Sequence, residues 1–429
     1  MAEGEAREAV SVVVPFAGDT GDAQAMLTAL ACIALLPDDE VIVVDNSPVG
    51  VLGAVEIPNM VSVIAAPEQP SSYYARNAGA AHARNEWLLF TDADCLPSES
   101  LLDDYFADPI TEDVGAIAGA VLPAGRMNVI GRYKAFRRHL DQEKSTRARA
   151  PWAVTANLLV RRSAWADLGG FSDGIRSGGD LDFCLRLSAV GWQLSYQPKA
   201  FIRHVHTDSL RRHAAEHLRY GGSHPWLRRR YPELKLSRPL AVQLPLSAAG
   251  AVRRAAVADW EWSLYHLLDG LTAVMLAIGK VRGNRAQIPE SNAEIALVAE
   301  DWPAVAEDGR RGALSVEGVS ASGIHVEACR RPIRMARDYP DVPRVYMEDD
   351  SLLDRAESLV WLVAHRPKEA TQYVVSSRGS ARRLAKLARL APAARRVART
   401  GARRVRALDA SAAADARALA ELAGAMYDE

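Results

Sequence analysis

The feature that most constrains the fold is a short β-branched run that recurs, with a helical stretch between its copies and an acidic residue at its end. Val10 to Val14 is one such run, closed by Pro15, and Val41 to Val44 is another, closed by Asp45-Asn46-Ser47-Pro48. Runs this apolar, without polar alternation, fit strands buried on both faces of a parallel sheet. Parallel neighbours need a crossover between them, and Ala23 to Leu36 supplies one with apolar residues at helical spacing. The pattern continues with a strand expected at Val61 to Ala65, a helix at Tyr74 to Ala83, and a strand at Trp87 to Thr91 that runs into Asp92-Ala93-Asp94. This alternation predicts an α/β fold built on a mixed, mostly parallel sheet flanked by helices. In open α/β sheets ligands bind beyond the carboxyl ends of the strands, which is where Asp45, Asp92 and Asp94 fall.

Downstream, Arg126 to Ala150 is polar and rich in Arg and Lys, and reads as a helix or loop beside the site. A strand is expected at Ala153 to Val160, a helix at Leu181 to Val190 and a strand at Leu194 to Arg203. The character changes after Gly221-Gly222-Ser223: one or two apolar helices over Ala251 to Arg282, a mixed stretch over Ala296 to Asp350, a strand at Leu359 to Ala364, and Ala- and Arg-rich helix in the last fifty residues. A chain of 429 residues exceeds one ordinary core. The expected division is a domain at 1–228, a helical extension at 229–290, and a mixed α/β region at 291–429 that ends in helices.

With 49% hydrophobic and 24% charged residues the chain has ample material to bury, which excludes disorder. Cys32, Cys95, Cys184 and Cys329 are far apart and form no CxxC pair, which excludes a disulfide framework and a structural zinc site and points to a reducing compartment. The first residues are acidic and lack a secretion signal's basic and apolar regions, and the apolar stretch Leu271 to Ile278 is shorter than the roughly 20 residues of a spanning helix. A cytoplasmic protein is therefore expected. The formal net charge of -1 hides a basic C-terminal stretch that runs from Arg378 to Arg406 without an acid. Within it Leu384, Leu387, Leu390 and Val397 recur at near-helical spacing, so this helix either lies on the inner face of an anionic membrane or packs on its own domain or on a second subunit of a homo-oligomer. Nucleic-acid binding through the same segment ranks last. After the first strand comes Pro15-Phe16-Ala17-Gly18 and no GxGxxG turn, which discounts a dinucleotide-binding oxidoreductase.

Four segments in order carry a resemblance: Ser-Val-Val-Val-Pro-Phe at 11–16, Val-Val-Asp-Asn-Ser at 43–47, Ala-Arg-Asn-Ala-Gly at 75–79 and Phe-Thr-Asp-Ala-Asp at 90–94. It continues through Asn157, Gly169-Gly170-Phe171, the run from Gly179 to Arg186, and His204-Val205-His206. Together these resemble a family 2 glycosyltransferase of the GT-A fold over about residues 10–225. The resemblance implies a metal-dependent, inverting transfer of a sugar from a nucleotide-sugar donor to a glycan, a lipid-linked or a small-molecule acceptor.

It also implies roles. Asp92 and Asp94 form an Asp-x-Asp element whose paired carboxylates suit a hard cation, Mn2+ or Mg2+, that neutralises the donor diphosphate. One of His204 and His206 supplies a third ligand. Asp45 reads the base of a UDP- or GDP-sugar, with Pro15, Phe16, Arg76, Asn77 and Asp92 also on the nucleotide side. Trp152, Thr155 and Asn157 line the acceptor side. A carboxylate at the start of the helix after Gly179 takes the acceptor proton: Asp180, with Asp182 as its rival. The family often has an acid where this chain has Gly179, and that departure keeps open a second reading, a catalytically degenerate module that binds nucleotide-sugar or glycan without turnover.

Overall fold

The computed structural model describes residues 7–125, 127–138, 140–205, 209–286, 292–302, 320, 323–335, 344–376 and 380–428. The chain forms two compact units, Met1–Gly279 and Lys280–Glu429, so residues 229–279 count with the first unit.

In the first unit, β1 (Val10–Phe16), α1 (Thr20–Leu30), β2 (Glu40–Asp45), β3 (Val61–Ala65), α2 (Ser72–His82) and β4 (Trp87–Thr91) alternate as the sequence predicts. There follow β5 (Cys95–Pro97), α3 (Leu101–Tyr105), β6 (Val114–Ala124), α4 (Val129–Phe136), α5 (Gln142–Thr146), β7 (Asn157–Arg161), α6 (Arg162–Leu168), α7 (Gly179–Ala189), β8 (Gln193–Val205), α8 (Leu210–Arg230), α9 (Leu240–Ala255) and α10 (Trp260–Arg282). The strands make an eight-stranded sheet in the order β3-β2-β1-β4-β7-β6-β8-β5. Pairing is parallel from β3 through β4 and between β6 and β8, and antiparallel elsewhere. Residues of β1 alternate between two cores, Val13 on one face and Val12 and Val14 on the other, which is why the strand is apolar throughout.

The structure departs from the sequence reading in several places. The first helix stops at Leu30 rather than Leu36, with Ala31 as its cap. β6 was not expected: its Ala- and Gly-rich sequence has little intrinsic strand preference, and pairing with β7 and β8 decides its conformation. α8 runs straight through Gly221-Gly222-Ser223, where a break was expected. A Cβ on Gly221 would lie 2.3 Å from the Leu276 carbonyl oxygen, and one on Gly279 2.1 Å from that of Leu218. These glycines let α8 and α10 touch backbone to backbone rather than ending a helix. α10 lies within the apolar helical region expected over Ala251 to Arg282; its 23 residues are long and apolar enough by length and composition to cross a membrane, whereas the sequence reading judged only Leu271 to Ile278 against that length. Asp269 in its middle accepts hydrogen bonds from Tyr133 on α4 at 2.9 Å and from Nε of Arg137, the residue that caps α4, at 3.0 Å, and Tyr133, Tyr265 and Leu268 share a buried cluster.

The second unit holds β9 (Ile295–Asp301), β10 (Ile324–Arg330), β11 (Arg344–Tyr346), α11 (Leu352–His365), α12 (Pro367–Ser376), α13 (Ala381–Thr400), β12 (Arg404–Ala407), α14 (Ala413–Ala423) and β13 (Met426–Asp428). Its strands form a parallel sheet in the order β11-β10-β9-β12-β13. The strand expected at Leu359 to Ala364 lies inside α11, whose start is fixed by a capping box in which Asp354 N donates to Ser351 Oγ at 3.0 Å and Ser351 N to Asp354 Oδ2 at 2.8 Å. The last fifty residues are not all helix, since α13 ends at Gly401 in a left-handed conformation and two strands follow. Leu387, Leu390 and Val397 of α13 are buried in this unit's own core. That packing corrects the membrane-helix expectation, because the apolar face such a helix would lay on a bilayer is already covered.

Candidate active site

A cleft of about 690 Å³ opens where the carboxyl ends of β1 and β4, the end of β8 and the first turns of α2 and α7 converge. Pro15 and Phe16 line it at the end of β1, and Asp92 and Asp94 follow β4. His204 reaches the same place from far along the chain. β5 and β8 pair antiparallel with Cys95 opposite His204, and Val205 N donates to Asp94 O at 2.9 Å. His204 Nε2 is therefore 3.4 Å from Asp94 Oδ1 and 3.9 Å from Asp92 Oδ2. Ligand atoms of Asp92, Asp94, Cys95 and His204 all lie within 4.8 Å of one another.

Electrostatics distinguish these four. Burial, with the Asp92 charge beside it, raises the Asp94 pKa against the opposing pull of His204. A pair of carboxylates that repel in this way gains from a cation between them. Burial and both aspartates push the Cys95 thiol well above its usual range, so it stays protonated and is a poor ligand for a hard ion. Two carboxylates and an imidazole remain, a donor set that fits Mn2+ or Mg2+. His206 lies outside the described residues.

Asp180, at the start of α7, lines the same cleft half-buried, and burial raises its pKa above the ordinary carboxylate value. Its Oδ1 accepts from Tyr73 Oη at 3.2 Å and from Leu181 N at 3.0 Å. Arg76 is buried: it donates to Asp92 Oδ1, lies 5.7 Å from the Tyr73 ring centroid, and its charge lowers the Asp180 pKa. Thr155 also lines the cleft.

Five expected site residues do not face it. Asp182 is fully buried and accepts from Ser172 Oγ at 2.7 Å, Arg186 Nε at 2.8 Å, Arg230 Nε at 3.1 Å and Tyr231 Oη at 2.8 Å. Burial opposes its charge, but the two arginines outweigh it and hold its pKa at about 2. Such a carboxylate takes up no acceptor proton, and its place as a candidate base is withdrawn. Asn157, expected at the acceptor, is also fully buried: it donates to Ala120 O and Ala200 O at 3.0 Å and accepts from Tyr105 Oη at 2.7 Å, tying β6, β7 and β8 together. Asn77 exchanges both amide hydrogen bonds with the Phe171 backbone. Trp152 packs against the hydrophobic core. Asp45 is 3% exposed, accepting from Ser47 N at 3.0 Å and from Ser47 Oγ with Oδ1 and from Leu52 N at 2.9 Å with Oδ2. This is an Asx turn that ends β2, and it occupies both oxygens that would read a base.

The sequence reading set the Arg- and Lys-rich stretch Arg126 to Ala150 beside the site without naming a residue, and it missed the cations of α8. Lys134 on α4 and Arg212 and Arg219 on α8 line the cleft, with Glu216 and Tyr220 between. Arg212, Glu216, Arg219 and Tyr220 share one helical face by their spacing, a signal that was legible had α8 been recognised.

The model for glycosyltransferase like family 2 matches residues 6–223, just over half of the 429. Over 243 residues the chain is 30% identical to the pre-mycofactocin glycosyltransferase of Mycobacterium tuberculosis strain H37Rv, covering 54% of this chain and 50% of that protein. Over 198 residues it is 29% identical to the glycosyltransferase AglE of Haloferax volcanii, covering 44% of this chain and 64% of that one. The chain thus spans about half the length of the first of these relatives. A solved mannosyltransferase from Pyrobaculum calidifontis, in complex with GDP-mannose and Mn2+, is similar at 20% identity and a TM-score of 0.41 over 63% of this chain and 88% of its own. The ordered motifs, the mixed α/β sheet that brings them together and the family match lead to one conclusion: the chain belongs to glycosyltransferase like family 2.

Proposed function

We propose that the protein transfers a hexose from a UDP- or GDP-linked donor to an acceptor hydroxyl with inversion at the anomeric carbon, and that it depends on a divalent cation. The observation that carries this reading is that two carboxylate centres from different parts of the chain line one cleft, Asp92 and Asp94 clustered with His204, and Asp180 at the start of α7. Asp92, Asp94 and His204 would hold the cation, which when bound offsets the charge of the donor diphosphate. Arg212 and Arg219 add positive charge around the same space, while Arg76 and Lys134 there are ion-paired with Asp92 and Glu216.

Asp180 faces the acceptor. As the acceptor oxygen bonds to the anomeric carbon, the bond from that carbon to the diphosphate oxygen breaks, the nucleoside diphosphate departs, and Asp180 takes the acceptor's proton. The raised pKa of Asp180 suits a group that must collect a proton near neutral pH.

Two variants test the division. Asp180→Asn should lose kcat by roughly a hundredfold or more while UDP or GDP still raises its melting temperature in the presence of Mn2+. Asp94→Ala should abolish the Mn2+-dependent part of that nucleotide shift with the fold intact. A nucleotide shift in Asp94→Ala that still requires Mn2+ would remove the metal assignment, and normal turnover by Asp180→Asn would remove the base.

A further inference from the structure

Position 179, where the family often has an acid, is a glycine here, and the structure shows what fills the space. A Cβ on Gly179 would lie 2.8 Å from Cδ1 and 2.9 Å from Cε1 and Cγ of Tyr73, closer than packed carbons approach. No side chain fits at 179 while this ring stays in place. The ring is set by the first turn of α2, is buried, and packs at a tilt against Phe171 with 5.7 Å between centroids. Its hydroxyl points to Asp180 Oδ1 at 3.2 Å.

We propose that Tyr73 is a positioning residue for the Asp180 base, a neutral phenol that stands in for the missing acidic neighbour. With Oδ1 held by the Tyr73 hydroxyl and by Leu181 N, Oδ2 is left to take the acceptor's proton. This rests on the reading of Asp180 as base. The exchange of an acid for a phenol has a physical consequence. A carboxylate beside Asp180 would repel its charge, whereas a hydroxyl that donates to it favours the charged form. Among the described residues, the other groups that act on Asp180 or share its surroundings are Arg76 from α2, Tyr220 and Arg219 from α8, Cys184 on α7 itself, and Arg176 from the loop before it.

The test is Tyr73→Phe in the full chain, which keeps the ring over Gly179 and removes only the hydroxyl. The acidic limb of the kcat profile should move up by about one pH unit, the size of a lost hydrogen bond to a charged group, with donor KM little changed. The Asp180 carboxyl carbon, followed by NMR without any substrate, should titrate higher in the variant by a similar amount. Identical titration of Asp180 in the two proteins overturns the proposal and needs no turnover to be seen. The two readings separate cleanly. If Asp180→Asn turns over normally, the base assignment falls and Tyr73 with it; if Asp180→Asn is inactive and Tyr73→Phe titrates as wild type, only the role of Tyr73 falls.

Discussion

Asp180 and Asp182 are two residues apart and chemically identical, and their surroundings shift their pKa values in opposite directions. Asp180 opens the helix at a cleft wall, where burial raises its pKa. Asp182 points into the protein, where Arg186 and Arg230 overcome burial and hold it at about 2. The sign of the pH effect follows. A carboxylate depressed in the folded state contributes stability above its unfolded pKa near 3.8, and that contribution is lost as pH falls towards 2. Asp182→Asn should therefore lower thermal stability at pH 7, by about 3 kcal/mol or more, because two buried arginines lose their counter-charge. Protein that remains folded should still bind nucleotide. A variant as stable as wild type but without turnover would return Asp182 to the candidate bases. The same contrast explains Asn157: its motif position was legible, but which polar atoms of the core it satisfies was not.

Among the elements, α8 carries much of the cleft's charge and was the least visible in the sequence. Gly221-Gly222-Ser223 read as punctuation, yet the helix continues through them and through Pro225. Replacing a helical glycine by alanine ordinarily gains about 1 kcal/mol. At Gly221 the new methyl would meet the Leu276 carbonyl at 2.3 Å, so α8 and α10 would have to separate. Gly221→Ala should instead destabilise the protein by roughly 1 to 3 kcal/mol in chemical denaturation. A gain in stability would show that the two helices are not in backbone contact. β6 was hidden for the complementary reason, as alanine and glycine interrupt its few β-branched residues and its neighbours hold it in place.

Across the whole molecule, the second unit has its own core and its own buried charges. Glu327 is fully buried, receives Arg396 Nε at 2.8 Å and Nη2 at 2.7 Å, and lies 2.9 Å from His325 Nε2; Arg396 also bonds Asp350. Burial opposes the Glu327 charge, but Arg396 and His325 bring its pKa down from 4.5 to about 2. Its contribution, on the order of 3 kcal/mol, is complete above pH 4.5 and is lost between there and pH 2. Glu327→Gln should remove most of that acid sensitivity from the second unit's unfolding transition while lowering its stability at pH 7. An acid profile unchanged by the substitution would place the sensitivity elsewhere.

The sequence by itself determined the family, the strands β1 to β4 and the acidic residues at their ends, because β-branched periodicity and the order of motifs are local properties of the chain. It also named two carboxylates, Asp180 and Asp182, as candidates for the proposed base. Which of the two lines the cleft, that the strand bearing His204 meets Asp94, and what fills the space beside Gly179 were decided only in three dimensions. Each depends on residues far apart in sequence: Cys95 opposite His204 across two strands, Arg230 and Tyr231 closing over Asp182, Tyr73 lying on Gly179. A side chain's role is set by the charges and donors around it, and those neighbours are assembled by packing rather than by adjacency along the chain.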